Sequence, residues 1–389
     1  MKFEHSPDSD HATQILRRLV QTPITCAPRK VDRPLVLYGA GNLGHMARQY
    51  FDRIGVPFEY VVDANAQLHR SDPFWAGINI AKPTEVLPGE RSSCLLAVCV
   101  ATASFSRLSA ELGSQGWIDI VPFYDITETY RDRHPLGNGW FAGQLDQADT
   151  DNIETVLSGW QDDISRAHHL QFIAWHTLRE DWLFDDAPVT TDDRYFIPEV
   201  LSLLGGDEIF CDLGAHHAEV ILRFLQVTRN RFKEIWAIEP DNENHALLCA
   251  ELQELEAQIR QKIHVLPCVL GAQPGRGNFF HGLGYASQLS ELGLHPVDVA
   301  TLDQLGIAST FLKLHLEGGE LDAMKGGLQT LQRNRPIIAS TTYHNRQGLW
   351  ELPKWMMTML PNYQFHFRLH SWCGTGAVVY ALPSERVSC

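Results

Sequence analysis

Three short stretches of the sequence combine residue types that bind cofactors or transfer protons. They read GAGNLG at 39–44, CDLGAHH at 211–217 and KLHLEGGE at 313–320. Each includes or follows an apolar run that is typical of a buried strand. Because parallel sheets bind ligands where their strands end, all three stretches are candidate sites.

The first stretch has the glycine spacing of a dinucleotide-binding turn. Gly39, Gly41 and Gly44 allow a tight turn and a close approach of a pyrophosphate to a helix N-terminus, and Asn42 lies in the same turn. Asp63 ends the next predicted strand, where a carboxylate accepts hydrogen bonds from ribose hydroxyls. The turn either binds a nucleotide or NAD, or its glycines only pack a strand against a helix.

The second stretch predicts a further cofactor site. Asp212 ends a strand, Gly214 and Ala215 keep the backbone open, and His216 lies in the same turn. Glu239 ends the following strand, where its carboxylate suits a ribose diol and tolerates a cationic cofactor. The alternative is that Asp212 caps the next helix and Glu239 faces solvent. The matching positions of the two acids favour cofactor binding.

The third stretch predicts proton-transfer chemistry. Lys313 and His315 alternate along a strand and therefore share a face, and Glu317 follows at the strand's carboxyl end. His344 ends the neighbouring predicted strand, at the same rim. A plain alternative is a strand whose polar residues are solvated or ion-paired. The histidines that approach this cleft lack the H-x-x-x-H or H-x-H spacing of a metal site, so no metal is predicted.

The elements that position these residues alternate between strands and helices. We expect the α/β class, with two Rossmann-like doubly wound domains. The predicted boundaries are an N-terminal extension at 1–30, a nucleotide-binding domain at 31–130, a helical connector at 131–200 and a second α/β domain at 201–389.

Two features of the second domain are predicted in more detail. One long amphipathic helix is expected at 242–261, with an apolar stripe. A hairpin-like pair at 363–383 is expected to close the parallel sheet with an antiparallel edge strand. The stripe consists of Leu247, Leu248, Leu252, Leu255 and Ile259.

Composition limits the partners and the compartment. The net charge of −15 argues against nucleic acid. The eight cysteines include no C-x-x-C pair, and several lie in apolar runs, which indicates reduced thiols. The N-terminal segment lacks the apolar core of a secretory signal, and no apolar run approaches the roughly 20 residues that span a bilayer. We expect a cytoplasmic protein without a membrane partner; the sequence does not predict an oligomeric state.

From about 195 to 385 the sequence resembles the FkbM family of S-adenosylmethionine-dependent methyltransferases. The most specific parts of the resemblance are K-x-x-x-E-G-x-E-x-x-x-x-K-G at 313–326 and the Glu239–Pro240 pair. The matching segments, in order, are YFIPEV, EIFCDLGA, AIEPDNEN, VATLDQL, FLKLHLEGGELDAMKGGLQTL, RPIIASTTYH and FHFRLHSWCGTGAVVYALP.

The resemblance implies methyl transfer to a hydroxyl of a glycan, a polyketide or a related small molecule. It also implies that Asp212, Gly214, Ala215 and Glu239 contact S-adenosylmethionine. The region at 31–130 looks like the sugar-nucleotide-binding domains that are fused to some carbohydrate-modifying proteins.

Four positions depart from the family pattern. His216 replaces an asparagine, Ala218 a glycine, His315 an aspartate, and Thr342 an acid. We expect the change at Ala218 to be mild because alanine is a good helix former. The histidine at position 315 matters more if the family's aspartate orients the acceptor or serves as base.

These residues predict direct transfer of a methyl group to an acceptor oxygen. His315 or His344 would take the hydroxyl proton, with Lys313 or Glu317 orienting the acceptor. One alternative is a non-catalytic relative that binds a sugar nucleotide. Another is an NAD-dependent enzyme that acts on a sugar nucleotide through the turn at 39–44.

Overall fold

The computed structural model describes residues 1–282 and 284–387. Ser388 and Cys389, at the end of the predicted second domain, lie outside the described residues, as does Leu283. Two large sheets flanked by helices, a helical layer and two smaller sheets make up the described part, which confirms the predicted α/β class. None of its helices is long and apolar enough to cross a bilayer.

The N-terminal sheet contains five parallel strands in the order β4-β3-β2-β5-β6. One face packs on Tyr50 and Phe51 of helix α2, and the other packs on Leu112 of α5 and the following Trp117. Both faces are therefore covered, as a parallel sheet requires. Strands are β2 Leu35–Tyr38, β3 Tyr60–Val62, β4 Ile80–Ala81, β5 Leu95–Val98 and β6 Asp119–Pro122; helices are α2 Asn42–Ile54, α3 Ala66–His69, α4 Pro88–Ser93, α5 Phe105–Ser114 and α6 Phe123–Thr129.

The first elements of the chain pack against the helical layer. Helix α1 (Ser9–Gln21) packs against α7 (Gln147–Gly159) and α8 (Asp163–Leu178). Strand β1 (Lys2–Phe3) pairs with β7 (Leu183–Phe184), which follows α8. Helix α8 is buried along almost its whole length because it also packs on the C-terminal sheet.

The C-terminal sheet contains seven strands in the order β10-β9-β8-β15-β16-β18-β17. Its strands are β8 Ile209–Leu213, β9 Glu234–Ile238, β10 Ile263–Leu266, β15 Phe311–Leu314, β16 Ile337–Thr341, β17 Tyr363–Leu369 and β18 Ala377–Pro383. Strand β18 runs antiparallel to both of its neighbours. The predicted antiparallel strand is thus present, but β17 forms the edge and β18 lies one position inside it.

The remaining elements connect or cover these strands. A four-stranded sheet, β11-β14-β12-β13, was not predicted, because β12 (GRGNFF) is largely exposed and lacks an apolar pattern. The helices are α9 Pro198–Leu201, α10 Glu219–Thr228, α11 Asn242–Gln253, α12 Ala257–Arg260, α13 Leu302–Leu305, α14 Glu320–Lys325, α15 Leu328–Asn334, α16 Glu351–Met359 and α17 Ser384–Val387; the strands are β11 Val269–Leu270, β12 Gly275–Phe280, β13 Gln288–Leu289 and β14 His295–Ala300.

The single long helix predicted at 242–261 is wrong. The chain forms α11 and α12 with a break between them, and Leu247 of the predicted apolar stripe is 50% exposed. A second break separates α14 from α15 at Gly326 and Gly327. A side chain at Gly326 would lie 2.1 Å from the carbonyl oxygen of Gly271, so close packing requires glycine there.

Candidate functional site

A cavity of about 360 Å³ opens where strands β8, β9, β15 and β16 end. The turns that follow these four strands line one side of it, and β11, β12 and β13 contribute to the wall. The loop at 131–138, from the end of the N-terminal domain, contributes Arg131 and Asn138. The volume of the cavity lies in the range of small-molecule sites, roughly 300–1,000 Å³.

Beside this cavity, Asp212 and Lys313 form a buried ion pair. They are register partners on adjacent strands, and Lys313 Nζ lies 2.7 Å from Asp212 Oδ1. The ammonium group also donates a hydrogen bond of 2.6 Å to the carbonyl oxygen of Gly214. Burial opposes both charges and raises the pKa of Asp212; the pKa of Lys313 is nevertheless raised because Asp212 stabilises its ammonium form.

The ion pair does not itself line the cavity. The side chains of Asp212 and Lys313 are 0% and 2% exposed, and Ala215 packs into the hydrophobic core. The structure therefore places three predicted contact residues behind the wall. Lys313 acts on the wall through its hydrogen bond to Gly214.

Glu239 and the turn after β8 form one end of the cavity. Glu239 Oε2 accepts a hydrogen bond from the backbone N–H of His216 at 2.8 Å, and Oε1 accepts from Asp241 at 2.9 Å. Gly214 has φ +83, and a side chain there would lie 2.0 Å from the carbonyl oxygen of His315. Only glycine fits this position, so the turn and the loop after β15 stay in close contact.

At the other end of the cavity, His315 and His344 flank Glu317. His315 Nε2 lies 3.1 Å from Glu317 Oε1, and His344 Nδ1 lies 3.2 Å from Glu317 Oε2. Glu317 has φ +50, a left-handed conformation that is rare outside glycine and clusters at functional sites. The structure thus brings together three of the four predicted catalytic residues.

The residues of this cluster shift one another's pKa values. Burial lowers the pKa of His315 to about 3, so its imidazole is neutral near pH 7. Burial opposes the charge on His344 as well, but the carboxylates of Glu317 and Glu320 raise its pKa. Burial likewise opposes the charge on Glu317, yet His344 and His315 lower its pKa to about 2. The roles of His315 and His344 in proton transfer stay predictions.

Sequence reasoning missed several groups around the cluster. Asn138 Oδ1 lies 3.1 Å from His344 Nδ1, and the hydroxyl groups of Tyr195 and Tyr343 lie 2.9 Å and 3.1 Å from the two ring nitrogens of His315. Asn138 belongs to the Gly- and Pro-containing segment RDRHPLGNGW, which indicated only a turn. No local pattern connects that segment with a strand about two hundred residues later.

Ala218 is not in the helical conformation that we expected. It has φ +71 at the N-cap of α10, where the backbone is left-handed. A glycine adopts this conformation without cost, whereas the alanine carries roughly 1–2 kcal/mol of strain. His216 is also left-handed, with φ +47, a conformation in which asparagine and histidine are enriched.

Beside the N-terminal turn at 39–44, the carboxylate of Asp63 accepts hydrogen bonds from two backbone N–H groups. Its Oδ2 accepts from the N–H of Ala40 at 2.8 Å, and its Oδ1 accepts from Asn65 at 2.7 Å. Trp75 donates a hydrogen bond to the carbonyl oxygen of Ala40, and a side chain at Gly44 would lie 2.1 Å from the carbonyl oxygen of Gly39. These contacts fit the packing role; a nucleotide at Gly39, Gly41, Asn42 and Gly44 stays a prediction.

Comparisons with known proteins agree with the architecture. Residues 212–367 match the family model described as the methyltransferase FkbM domain. The crystal structure of methyltransferase FkbM from Methylobacillus flagellatus KT aligns with a TM-score of 0.61 and 18% identity, covering 96% of this chain and 93% of that chain. A precorrin-6y C5,15-methyltransferase from Geobacter metallireducens GS-15 aligns with a TM-score of 0.30 and 15% identity, over 51% of this chain and 93% of that one. No curated protein sequence matches the chain. Residues 212–367 are thus similar to the methyltransferase FkbM domain, and nearly the whole chain shares its fold with a methyltransferase of that name.

Proposed function

We propose that this protein transfers a methyl group from S-adenosylmethionine to a hydroxyl group of a glycan, a polyketide or a related small molecule. The observation that carries the proposal is the single cavity that joins Glu239 and Gly214 to the His315–Glu317–His344 cluster. In a methyl transfer, cofactor and acceptor must meet in one site, because holding the reactants together supplies much of the rate enhancement.

The residues at the Glu239 end fit S-adenosylmethionine. Each oxygen of the Glu239 carboxylate accepts one backbone hydrogen bond and keeps a lone pair for a ribose hydroxyl. Gly214 leaves the cavity wall free of a side chain. S-adenosylmethionine supplies an electrophilic methyl group on a sulfonium cation. Glu239 and Glu317 give the cavity the negative charge that suits this cation.

The residues at the other end suit a hydroxyl acceptor. The neutral imidazole of His315 and the ionised carboxylate of Glu317 can both accept a hydrogen bond from a hydroxyl group and orient it, although their lowered pKa values make them weak bases. His344, in its charged form, donates to Glu317 and holds that carboxylate in place. Lys313 is a positioning residue, because it acts through Gly214 and Asp212.

Calorimetric titration of S-adenosylmethionine, and of its demethylated product, into the purified chain tests this proposal. We expect Glu239→Gln to weaken binding at least about 10-fold, since a loss of 1.4 kcal/mol is tenfold in affinity. Glu234→Gln is the matched control, because Glu234 begins the same strand at its opposite end.

Two outcomes would count against the proposal. Absence of binding by a folded sample freed of carried-over ligand would contradict it, as would equal affinities of the two variants. Binding without methyl transfer to any of a panel of sugar and polyketide hydroxyls would instead support a non-catalytic binding protein.

A further inference from the structure

Two histidines and one carboxylate converge on a point in the cavity wall. The ligating atoms of His315, Glu317 and His344 all lie within 4.8 Å of one another. From this geometry we propose that the three residues bind a divalent transition-metal ion of the zinc or iron(II) class. Imidazole nitrogens suit these metals better than magnesium or calcium, which prefer all-oxygen sites.

The spacing of each histidine from Glu317 matches that of neighbouring ligands around one ion. Metal–nitrogen and metal–oxygen bonds of about 2.1 Å put neighbouring ligand atoms about 3.0–3.4 Å apart in octahedral or tetrahedral geometry. The observed distances are 3.1 Å from His315 Nε2 to Glu317 Oε1 and 3.2 Å from His344 Nδ1 to Glu317 Oε2. The two histidines thus approach different oxygens of Glu317, with all three ligand atoms within 4.8 Å of one another, so binding of one ion requires the side chains to move closer together.

The outer ring nitrogen of His315 lies at hydrogen-bond distance from an oxygen atom. His315 Nδ1 lies 2.9 Å from the hydroxyl oxygen of Tyr195, whereas His344 Nε2 lies 3.7 Å from Glu320 Oε1, beyond hydrogen-bond distance. Metal-binding histidines usually donate their second N–H to such an oxygen, which fixes the tautomer and the ring orientation. Glu320 is itself fixed, because it accepts hydrogen bonds from the backbone of Leu316 and Gly318 and from the Thr341 hydroxyl.

A second cluster of similar composition shows what distinguishes a site from a salt-bridge network. Asp162, Glu199 and His366 also bring three ligand atoms together. There Arg368 Nη2 lies 2.7 Å from Asp162 and 2.8 Å from Glu199, so a guanidinium already neutralises the acids. Among the described residues, Glu317 forms ion pairs with the two histidines and with no arginine or lysine. The cluster at Glu317 also faces the cavity, so coordination positions remain for a ligand.

The consequence for catalysis rests on the proposed function. An ion at this point would lie at the acceptor end of the cavity, where it would hold a hydroxyl oxygen and lower the pKa of that hydroxyl group.

Cobalt(II) is the probe for this site, because it substitutes for zinc and its visible absorption reports the ligand geometry. We expect the full-length chain, stripped with a chelator and desalted, to bind one equivalent of Co²⁺ and to release it when Zn²⁺ is added. His315→Ala and Glu317→Gln should each weaken binding by at least about 10- to 100-fold. His366→Ala, in the second cluster, should leave the spectrum and the affinity unchanged.

The outcomes separate this inference from the proposed function. No Co²⁺ spectrum at millimolar metal in a folded sample would overturn the inference, as would a spectrum that survives in the His315→Ala, His344→Ala double variant. Far-ultraviolet circular dichroism of each variant shows that the fold persists. S-adenosylmethionine binding is measured on the same samples. Binding of the cofactor without binding of metal contradicts only the metal site. Binding of metal without binding of the cofactor contradicts only the methyltransferase proposal.

Discussion

Replacing Lys313 with methionine should destabilise the C-terminal sheet strongly. The substitution keeps an unbranched apolar side chain in a buried position but removes the cation that lies 2.7 Å from Asp212. Breaking a buried ion pair by removing one partner costs roughly 3–5 kcal/mol, because it leaves a buried charge uncompensated. The carbonyl oxygen of Gly214 also loses its donor, which adds about 1–3 kcal/mol. We therefore expect Lys313→Met to lose about 4–8 kcal/mol.

The loss should be partly rescued by neutralising the partner. In the Asp212→Asn, Lys313→Met double variant the charge penalty disappears while the loss at Gly214 remains, so about 3–5 kcal/mol should return relative to the single variant. Lowering the pH should also reduce the loss of stability in Lys313→Met. Because burial raises the folded-state pKa of Asp212 above its unfolded value, the penalty in Lys313→Met should be largest near pH 7 and should shrink towards pH 4.

Urea unfolding, followed by tryptophan fluorescence and circular dichroism, measures these differences. Lys325→Met is the matched control, since Lys325 is partly exposed and lies 3.9 Å from each of its two acidic partners. Surface pairs of this kind contribute at most about 1 kcal/mol. The reasoning would be refuted by a Lys313→Met variant within about 1 kcal/mol of the unaltered protein, or by a double variant no more stable than the single one.

Two further substitutions test the assigned conformations and charges. Ala218→Gly should change stability by less than about 1 kcal/mol in thermal unfolding, because relief of the left-handed strain offsets the lost methyl group and the greater chain entropy of the unfolded state. The control Ala246→Gly, inside α11, should cost about 1 kcal/mol. Equal losses of stability in the two variants would show that Ala218 is not strained. Asp162→Asn retains a good N-cap residue for α8 but removes the carboxylate that Arg368 and His366 contact, so it should cost about 1.5–3 kcal/mol at pH 7. Although burial opposes the charge on Asp162, His366 and Arg368 hold its folded-state pKa below the unfolded value. The stability difference between Asp162→Asn and the unaltered protein should therefore be present above about pH 4 and disappear in stronger acid. A stability difference that does not change with pH would contradict the assigned charge.

Much of the fold follows from local sequence patterns. Two strands of the C-terminal sheet are apolar runs bounded by glycine-containing turns: one contains Cys211 and Asp212, and the other contains Lys313. Because of this pattern, both strands could be predicted, and so could the position of their carboxyl ends at the same edge of the sheet. The broken helix at 242–261 was not, because the apolar periodicity continues across a break that tertiary packing imposes. The position of β18 inside the sheet depends on long-range pairing, which periodicity does not encode.

Some residues of the candidate site were predictable from the sequence, but their partners and surroundings were not. Alternation along the strand placed Lys313 and His315 on one face, yet only the register with β8 shows that Lys313 pairs with Asp212 behind the wall. The same alternation brought Glu317 to the rim, but the charge on His344 depends on its distances to two carboxylates. No metal-ligand spacing in the sequence indicated this cluster, because the proposed ligands come from the ends of two separate strands.

The most direct test of the central claim is a crystal structure grown with S-adenosylhomocysteine. We expect electron density for the ribose against Glu239, with the sulfur atom directed towards the cluster of His315, Glu317 and His344. Density for the nucleoside at Gly39–Gly44, or none in the cavity at saturating ligand, would contradict the assignment of this cavity as the site of methyl transfer.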